Sequence, residues 1–359
     1  MAVKPGAAAV TVTALKAHAA LLGFDLCGIA PAERFPELSF LTEWLDRGYA
    51  GNMAWVGRTA GKRTDIQQVL PGARSVIVLG TVYNTDRPYS TEVADPRAAL
   101  ISRYAWGDDY HDVLAERMGR LLTWMRTQST EPFEARAYVD TGPIQERVFA
   151  QYAGLGWIGK NACLINEKLG SWLFLSEIIT TLPLEPDAPG LDRCGTCTLC
   201  LEACPTKAIV GPHVIDSTKC ISYLSIEERG AIPENLREGV GNHVYGCDVC
   251  QDVCPFNQSP AVSTDPAWRP RAGLDGVTAL DLWRTPDADL RRLTKGSAMT
   301  RAKLPMLRRN LALALQASGD AGDVAALGEQ SPDRPSLADA LVRQHIRASR
   351  TDGPEHRER

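Results

Sequence analysis

Residues 194–205 read CGTCTLCLEACP, and this stretch decides how the chain has to fold. Its four cysteines, Cys194, Cys197, Cys200 and Cys204, are separated by two, two and three residues, and a proline follows the last. A second, looser set lies further along the chain, and it too ends in a cysteine followed by proline. Its members are Cys220, Cys247, Cys250 and Cys254.

The size and composition of the chain point to metal rather than disulfides. It has 359 residues, a net charge of −4 and ten cysteines, eight of them between residues 194 and 254. Disulfide frameworks belong mainly to small secreted proteins. No stretch approaches the roughly 18 apolar residues of a membrane span, so we expect a cytoplasmic protein with no membrane association. The net charge argues against coating nucleic acid over the whole surface, but it allows a local basic patch.

The spacing of the thiols favours iron-sulfur clusters over zinc. Zinc sites commonly pair two C-x2-C units across a loop, whereas three closely spaced thiols wrap one corner of a cubane better. The run C-x2-C-x2-C-x3-C-P is the bacterial ferredoxin pattern, in which the fourth cysteine binds the other cluster. This exchange predicts two 4Fe-4S clusters, with zinc or a single cluster as the alternatives. Cluster one takes Cys194, Cys197, Cys200 and Cys254, and cluster two takes Cys204, Cys220, Cys247 and Cys250.

The two remaining cysteines and the spacing of the second set need separate comment. Cys27 and Cys163 stand apart and are expected to be small buried side chains. Between Cys220 and Cys247 lie 26 residues, which we expect to cover a cluster or to line an adjacent site. Because two neighbouring clusters carry electrons but do no bond chemistry, the reacting centre should lie elsewhere in the chain.

The overall fold class is predicted as α+β multidomain. Alternating helices and strands over 1–185 predict an α/β domain, with strands in FDLCGIA, ARSVIVLGTVYN, EARAYVDTG and SWLFLSEIITTLPL. A ferredoxin-like domain is predicted over 186–265 and a domain of short helices over 266–350. The tail, 351–359, is predicted to be disordered.

The sequence GLGWIG at residues 154–159 matches the G-x-G-x-x-G pattern of dinucleotide-binding proteins. The residues before it predict a helix rather than a strand, and no acidic residue follows at the expected distance. We therefore expect a tight turn with close backbone approach to something large.

Asp140 lies at the end of a predicted strand in YVDTGPIQER, where α/β domains place their ligands. If it were buried, its pKa would rise and it could act as a general acid. Alternatively, it caps the following helix, with Pro143 in the first turn. The residues alone leave both interpretations open.

Taken together, several long motifs resemble the epoxyqueuosine reductase family, and the resemblance covers nearly the whole chain. The motifs are SRYAWGDDYH (102–111), YVDTGPIQER (138–147), AGLGWIGKN (153–161), GSWLFLSEI (170–178), CGTCTLCLEACPTKAI (194–209), CISYLSIE (220–227), GAIPENLR (230–237) and YGCDVCQDVCPFN (245–257).

The resemblance implies reduction of epoxyqueuosine to queuosine at the wobble position of tRNA with a GUN anticodon. A cobalamin would lie between an α/β cobalamin-binding domain and the cluster domain, and the clusters would feed it single electrons. Asp140 matches the proton donor of the family. An external electron donor such as ferredoxin or flavodoxin, a monomeric state and a HEAT-like C-terminal helical domain are also implied. The implied cobalamin neighbours are Arg58, Asp140, Leu164, Ser171, Leu175, Tyr223 and Ser225.

Residues 291–309 hold seven Lys or Arg and no Asp or Glu. We expect them to contact tRNA phosphates, although a solvated helical face has the same composition. The seven are Arg291, Arg292, Lys295, Arg301, Lys303, Arg308 and Arg309.

Two other functions fit part of the sequence. A cobalamin-dependent reductase of a small molecule, similar to reductive dehalogenases, would use the clusters and the corrin but not the basic patch. A non-catalytic electron carrier would use the clusters alone.

Overall fold

The structure is a computed structural model, and it describes residues 10–328. The predicted disordered tail, 351–359, and the last predicted helix, in SLADALVRQHIRAS, lie outside the described residues.

The strands are β1 (Leu26–Pro31), β2 (Ser75–Val82), β3 (Leu100–Ile101), β4 (Ala135–Tyr138), β5 (Trp157–Ile158), β6 (Leu164–Ile165), β7 (Leu173–Thr180), β8 (Ile209–Gly211), β9 (Val214–Ile215) and β10 (His243–Tyr245). The helices are α1 (Val12–Leu21), α2 (Phe40–Asp46), α3 (Ala54–Arg58), α4 (Ala60–Thr64), α5 (Tyr110–Gln128), α6 (Glu146–Tyr152), α7 (Leu199–Ala203), α8 (Ile221–Ile226), α9 (Glu234–Val240), α10 (Val249–Asp252), α11 (Ala279–Arg284), α12 (Asp287–Thr294), α13 (Leu304–Ala317) and α14 (Ala321–Ala326).

The main sheet has four strands in the order β1-β2-β7-β4, and all four were predicted from the sequence. All three pairings in it are antiparallel. The expectation of an α/β domain is therefore corrected: the first part of the chain is mixed but its sheet is not parallel. Alternation of helices and strands does not set strand direction, because long connections can return the chain to either end of the sheet.

Helices cover both faces of this sheet. On one face, α1 and α5 pack through residues such as Leu15, Leu114 and Met118. On the other, α6 packs through Val148 and Phe149 against the central strands. The apolar stripe of α5 forms because its residues recur at helical spacing, and the buried strands β2 and β7 follow from their β-branched runs.

The GLGWIG stretch forms the predicted tight turn, but the chain itself fills the space. Gly154 has φ +75°, a conformation that favours glycine, and a Cβ there would lie 2.6 Å from the Ala188 carbonyl oxygen. A Cβ on Gly156 would lie 2.0 Å from the carbonyl oxygen of Ile165. The large neighbour expected from the sequence is thus the protein's own backbone.

The helical part of the chain, which follows residue 265, shares its hydrophobic core with the two parts before it. Its core contains Trp283 and Leu311 together with Ile101 from the first part of the chain and Tyr245 from the cysteine-rich segment. Strand β10 also pairs in parallel with β3. These contacts tie the three sequence regions into one packed body around a shared centre.

Two members of the predicted basic patch are inside the protein, so that part of the prediction is wrong. Arg308 and Arg309 are 1% and 0% exposed. Arg308 binds Asp287 and three carbonyl oxygens, including that of Trp283 at 2.6 Å. Arg309 donates to the side chain of Asn310 and to carbonyl oxygens of the 224–230 segment. Their guanidinium groups stabilise the helical part because its buried carbonyl oxygens need donors, and they cannot reach a phosphate.

We predict that Arg308→Ala destabilises the protein by about 3–5 kcal/mol, because it leaves the buried carboxylate of Asp287 without its cation. Thermal unfolding of the purified chain measures this change. Arg291→Ala, on the exposed face of α12, is the matched control and is expected to have little effect. Equal stability of the two variants would contradict this role of Arg308.

Candidate active site between the sheet and the cysteine-rich segment

A cavity of about 930 Å³ lies where the sheet domain, the cysteine-rich segment and the helical part meet. Trp44, Trp55 and Asp140 line it from the first part of the chain, Cys220 from the cysteine-rich segment and Arg301 from the helical part. Its volume is near the upper end of the usual range for ligand pockets, about 300–1,000 Å³. The cavity can therefore hold a large ligand in contact with all three parts.

Asp140 sits on the loop between β4 and α6, with its side chain 62% exposed toward the cavity. Its φ is +55°, which is uncommon for a residue with a side chain and costs about 1–2 kcal/mol. Tyr110 Oη donates to Asp140 Oδ2 at 2.9 Å. The alternative interpretation as a helix cap is wrong, because α6 begins six residues later with Gln145 at its N-cap. The conformation instead presents the carboxyl group to the cavity.

His111 connects Asp140 to a second carboxylate. Its Nε2 lies 3.7 Å from Asp140 Oδ2, and its Nδ1 lies 2.7 Å from Oδ1 of Asp109, the N-cap of α5. Burial lowers the pKa of His111, but the hydrogen bond to Asp109 and the nearby negative charge of Asp140 outweigh burial and raise it to about 9. At neutral pH His111 therefore holds a proton beside Asp140.

The pKa of Asp140 differs from the sequence expectation. Desolvation by the cavity walls raises it, but the nearby His111 imidazole and the hydrogen bond from Tyr110 outweigh desolvation and hold the pKa below its usual value. The expected rise of this pKa is therefore wrong. Asp140 is an ionised carboxylate paired with a protonated imidazole, and the pair carries one proton between its two members.

The four thiols predicted for cluster one line one smaller cavity of about 190 Å³. Trp157 Nε1 donates to Cys194 Sγ at 3.4 Å, and Lys160 Nζ donates to carbonyl oxygens of the same loop. A hydrogen bond to a ligand sulfur, such as the one from Trp157, tunes the reduction potential of an iron-sulfur cluster. In the described part of the chain, no three His, Cys, Asp or Glu side chains are placed to bind a single metal ion.

The four thiols predicted for cluster two also lie together, and they lie deeper. Cys204, Cys220 and Cys250 pack in one apolar group, and Cys220 and Cys247 in an adjoining one. Burial raises the pKa of the Cys220 and Cys247 thiols. The backbone N–H of Ala208 donates to Cys204 Sγ at 3.2 Å. Cys200, predicted for cluster one, packs with the same apolar group, so the assignment of the cysteines to the two clusters stays a prediction.

The 26-residue insertion both covers cluster two and lines the cavity. Tyr223, Ile226 and Tyr245 from this segment are on the cavity wall, next to Cys220. Tyr223 Oη also accepts from the backbone N–H of Asn52 at 2.8 Å, which ties the insertion to the first part of the chain. Of the predicted cobalamin neighbours, Asp140 and Tyr223 line the cavity. Those that do not line it stay predictions, and they are Arg58, Leu164, Ser171, Leu175 and Ser225.

Five members of the basic patch are exposed: Arg291, Arg292, Lys295, Arg301 and Lys303. Arg301 donates to the carboxylate of Glu227 at 2.8 and 3.1 Å and stands at the cavity wall. The exposed patch therefore begins at the cavity.

Sequence reasoning assigned no role to Tyr110, His111 or Trp157, although they contact Asp140 and Cys194. The available signal was their position inside the quoted motifs SRYAWGDDYH and AGLGWIGKN. Among the described residues, no helix is long and apolar enough to cross a bilayer.

Two family models match the chain. The model for epoxyqueuosine reductase QueG, DUF1730, matches residues 63–141, and the model for a 4Fe-4S double cluster binding domain matches residues 193–257. The second match places a two-cluster 4Fe-4S domain over the cysteine-rich segment.

Curated relatives match over almost their full length. An epoxyqueuosine reductase from Gloeobacter violaceus is 46% identical over 318 residues, which is 86% of this chain and 97% of the relative. One from Xanthomonas campestris is 40% identical, covering 90% of this chain and 91% of the relative.

Solved structures give the same assignment. An epoxyqueuosine reductase crystallised with an epoxyqueuosine-modified tRNA-Tyr stem loop superposes with a TM-score of 0.82 and 31% identity, covering 93% of this chain and 88% of that one. The Bacillus subtilis enzyme, solved with its catalytic aspartate loop swung out of the active site, has a TM-score of 0.79 and 28% identity, covering 96% and 95%. The resemblance inferred from the motifs is confirmed, and the chain belongs to the epoxyqueuosine reductase family.

Proposed function

We propose that this oxidoreductase reduces the epoxide of epoxyqueuosine at the wobble position of tRNA and so forms queuosine. One observation carries the proposal: Asp140 and Cys220 line the same cavity. A predicted ligand of cluster two and a proton-bearing pair therefore face one cavity. Opening the epoxide with loss of water requires two electrons and two protons; the cluster side would supply the electrons, the Asp140–His111 pair one proton, and water in the open cavity the second.

The residues present fit a cobalamin in this cavity. The volume suits a large ligand, and aromatic side chains such as Trp44, Trp55 and Tyr223 offer flat apolar contacts. These three would hold the macrocycle, with Cys220 on the cluster side. When bound, cobalamin supplies a low-valent cobalt that accepts single electrons and reduces the substrate.

The proton chemistry belongs to residues of this chain. Tyr110 and His111 orient the Asp140 carboxylate, and His111 Nε2 holds the proton that Asp140 passes to the epoxide oxygen as charge develops there. Asp109 fixes the opposite face of the imidazole through Nδ1. This role of Asp140 agrees with the mobile catalytic aspartate loop of the Bacillus subtilis relative.

The tRNA contacts are proposed for the exposed basic residues Arg291, Arg292, Lys295, Arg301 and Lys303, because this patch adjoins the cavity. The relative crystallised with a tRNA stem loop supports this class of substrate. Arg308 and Arg309 are excluded because they are buried. A small-molecule reductase is not favoured, since the relatives are named for epoxyqueuosine.

Further parts of the proposal concern organisation. The domains would be a cobalamin-binding reductase unit over 1–185, the two-cluster unit over 186–265 and a HEAT-like helical unit over 266–350. We further propose a cytoplasmic monomer that takes electrons from an external donor such as ferredoxin or flavodoxin.

Asp140→Asn is expected to lower turnover at least about 100-fold, because the amide cannot pass a proton to the substrate. Mass analysis of tRNA nucleosides after reaction with reconstituted protein measures this. Asp86→Asn, at an exposed position, is the control and should leave turnover unchanged. Full activity of the Asp140 variant would disprove its proton-transfer role.

The exchange of cysteines between clusters predicts which pairs of substitutions act alike. Cys254→Ala should remove the same cluster as Cys194→Ala, while Cys204→Ala should remove the cluster that Cys247→Ala removes. Iron analysis and electron paramagnetic resonance (EPR) spectra of each variant measure the loss. If Cys204→Ala gave the spectrum of Cys194→Ala, the assignment would be wrong.

Reversing two charges of the patch, Lys295→Glu with Lys303→Glu, should weaken tRNA binding. It should also reduce the slope of log affinity against log salt by about 0.7–0.9 for each phosphate that the variant no longer binds. Filter binding of the epoxyqueuosine tRNA over a salt series measures both. Lys168→Glu, in the exposed turn before β7, is the control. An unchanged slope in the double variant would reject the patch.

A further inference from the structure

Two carboxyl groups with no cation bonded to them lie beneath Asp140. Glu177, in the middle of β7, is 0% exposed, opposite Val78 on one side and Tyr138 on the other. Glu146 is the first residue of α6, which packs on that face of the sheet. Both Glu177 oxygens and Glu146 Oε1 are buried, and within residues 10–328 none of these three atoms has a hydrogen-bond donor. An ionised carboxylate in such a position is strongly disfavoured.

The two carboxyl groups face each other within hydrogen-bonding reach. Two ionised carboxylates would repel, whereas two protonated carboxyl groups form a hydrogen bond between them that satisfies two buried oxygens. Burial and the charge of Asp140 raise the pKa of Glu146 to about 8. Burial and the charge of Glu146 raise the pKa of Glu177 well above its usual value.

The charged groups around this pair do not neutralise it. Arg147 lowers the pKa of Glu146, but its side chain is not buried with the pair, and Arg63 binds the carbonyl oxygen of Ile144. The Tyr110 hydroxyl, which is also near Glu146, already donates to Asp140. The remaining neighbour is Asp140 itself, whose negative charge favours the protonated pair.

The pair also contacts the backbone that presents Asp140. Glu146 directly follows the loop 139–145, and its carboxyl lies near enough to the backbone N–H of Asp140 to accept from it. That N–H belongs to the residue with φ +55°, whose strained conformation needs support from its surroundings. A neutral Glu146 can accept this bond while its hydroxyl donates to Glu177.

We infer that Glu146 and Glu177 are both protonated at neutral pH and, as an uncharged hydrogen-bonded pair, hold the backbone of Asp140 in the conformation that turns its carboxyl group into the cavity. They are positioning residues for the proposed reaction, and the inference rests on the proposed function for its effect on turnover. Raising the pH through about 8 ionises Glu146 and places a further negative charge beneath Asp140, so the support disappears on the alkaline side.

Infrared difference spectroscopy of the purified full chain tests the protonated pair without tRNA or turnover. A carboxylic acid C=O band, shifted in D2O, is expected at pH 7 and should lose intensity with a midpoint near pH 8, where Glu146 ionises. The component that titrates near pH 8 should be absent from Glu146→Gln, the pH 7 band should be weaker in Glu177→Gln, and both should be kept in Glu33→Gln, an exposed control. Absence of the band from the unaltered protein, or an unchanged band in both variants, would overturn the inference whatever the enzyme's substrate.

The pH profile of turnover tests the positioning role. Glutamine mimics the protonated acid and cannot ionise, so Glu146→Gln should move the alkaline loss of activity upward by about one pH unit, toward the pKa of His111. Glu146→Ala should lower turnover about tenfold and Glu146→Gln should restore most of it, since only the amide oxygen can accept the Asp140 N–H. Equal losses in the Ala and Gln variants, or an alkaline limb unmoved in Glu146→Gln, would refute the role.

Discussion

Electrons and protons can reach one substrate only if their last carriers in the protein face the same cavity. In this chain Cys220, a predicted cluster ligand, and Asp140, the proposed proton donor, both line the wall of one cavity. The residues between them come from all three parts of the chain. Most other features of the fold can be understood as ways of keeping these two side chains close and the space between them open.

The cysteine-rich segment shows how the electron side is fixed. Cys254 lies with the cysteines of the first run, and Cys204 lies with cysteines of the second. The two ends of the segment must therefore pack together before either set of thiols is complete. The insertion after Cys220 then reaches from the thiols to the cavity, and the contact of Tyr223 with Asn52 attaches it to the first part of the chain. A simple ferredoxin lacks the length for both functions.

The hydrogen-bond partners of buried ionisable groups distinguish those that stabilise the fold from those with a proposed function. Arg308 and Arg309 are buried but bonded on nearly every side, which is typical of groups that stabilise a fold. Among the described residues, Glu146 and Glu177 have buried oxygens without donors, next to Asp140, the proposed proton donor. Unsatisfied groups with perturbed pKa values cluster at functional sites, because a fold rarely keeps them without a use.

The parts that sequence could predict were those fixed by local spacing. The two-cluster 4Fe-4S domain, the strands of the sheet and the stripe of α5 all follow from short-range patterns. Strand direction, the burial of Arg308 and the lowered pKa of Asp140 depend on contacts between distant segments, which no local pattern records. His111 was missed for the same reason: its meaning lies in its distance to Asp140, 29 positions further along the chain.

The most direct test of the central claim is the EPR spectrum of protein reconstituted with cob(II)alamin and partly reduced clusters. If the cavity holds the cobalt beside cluster two, the cobalt signal will be split by the reduced cluster. The splitting should persist in Cys194→Ala, which lacks cluster one, and vanish in Cys247→Ala. An unsplit cobalt signal in the wild-type protein would contradict the shared cavity.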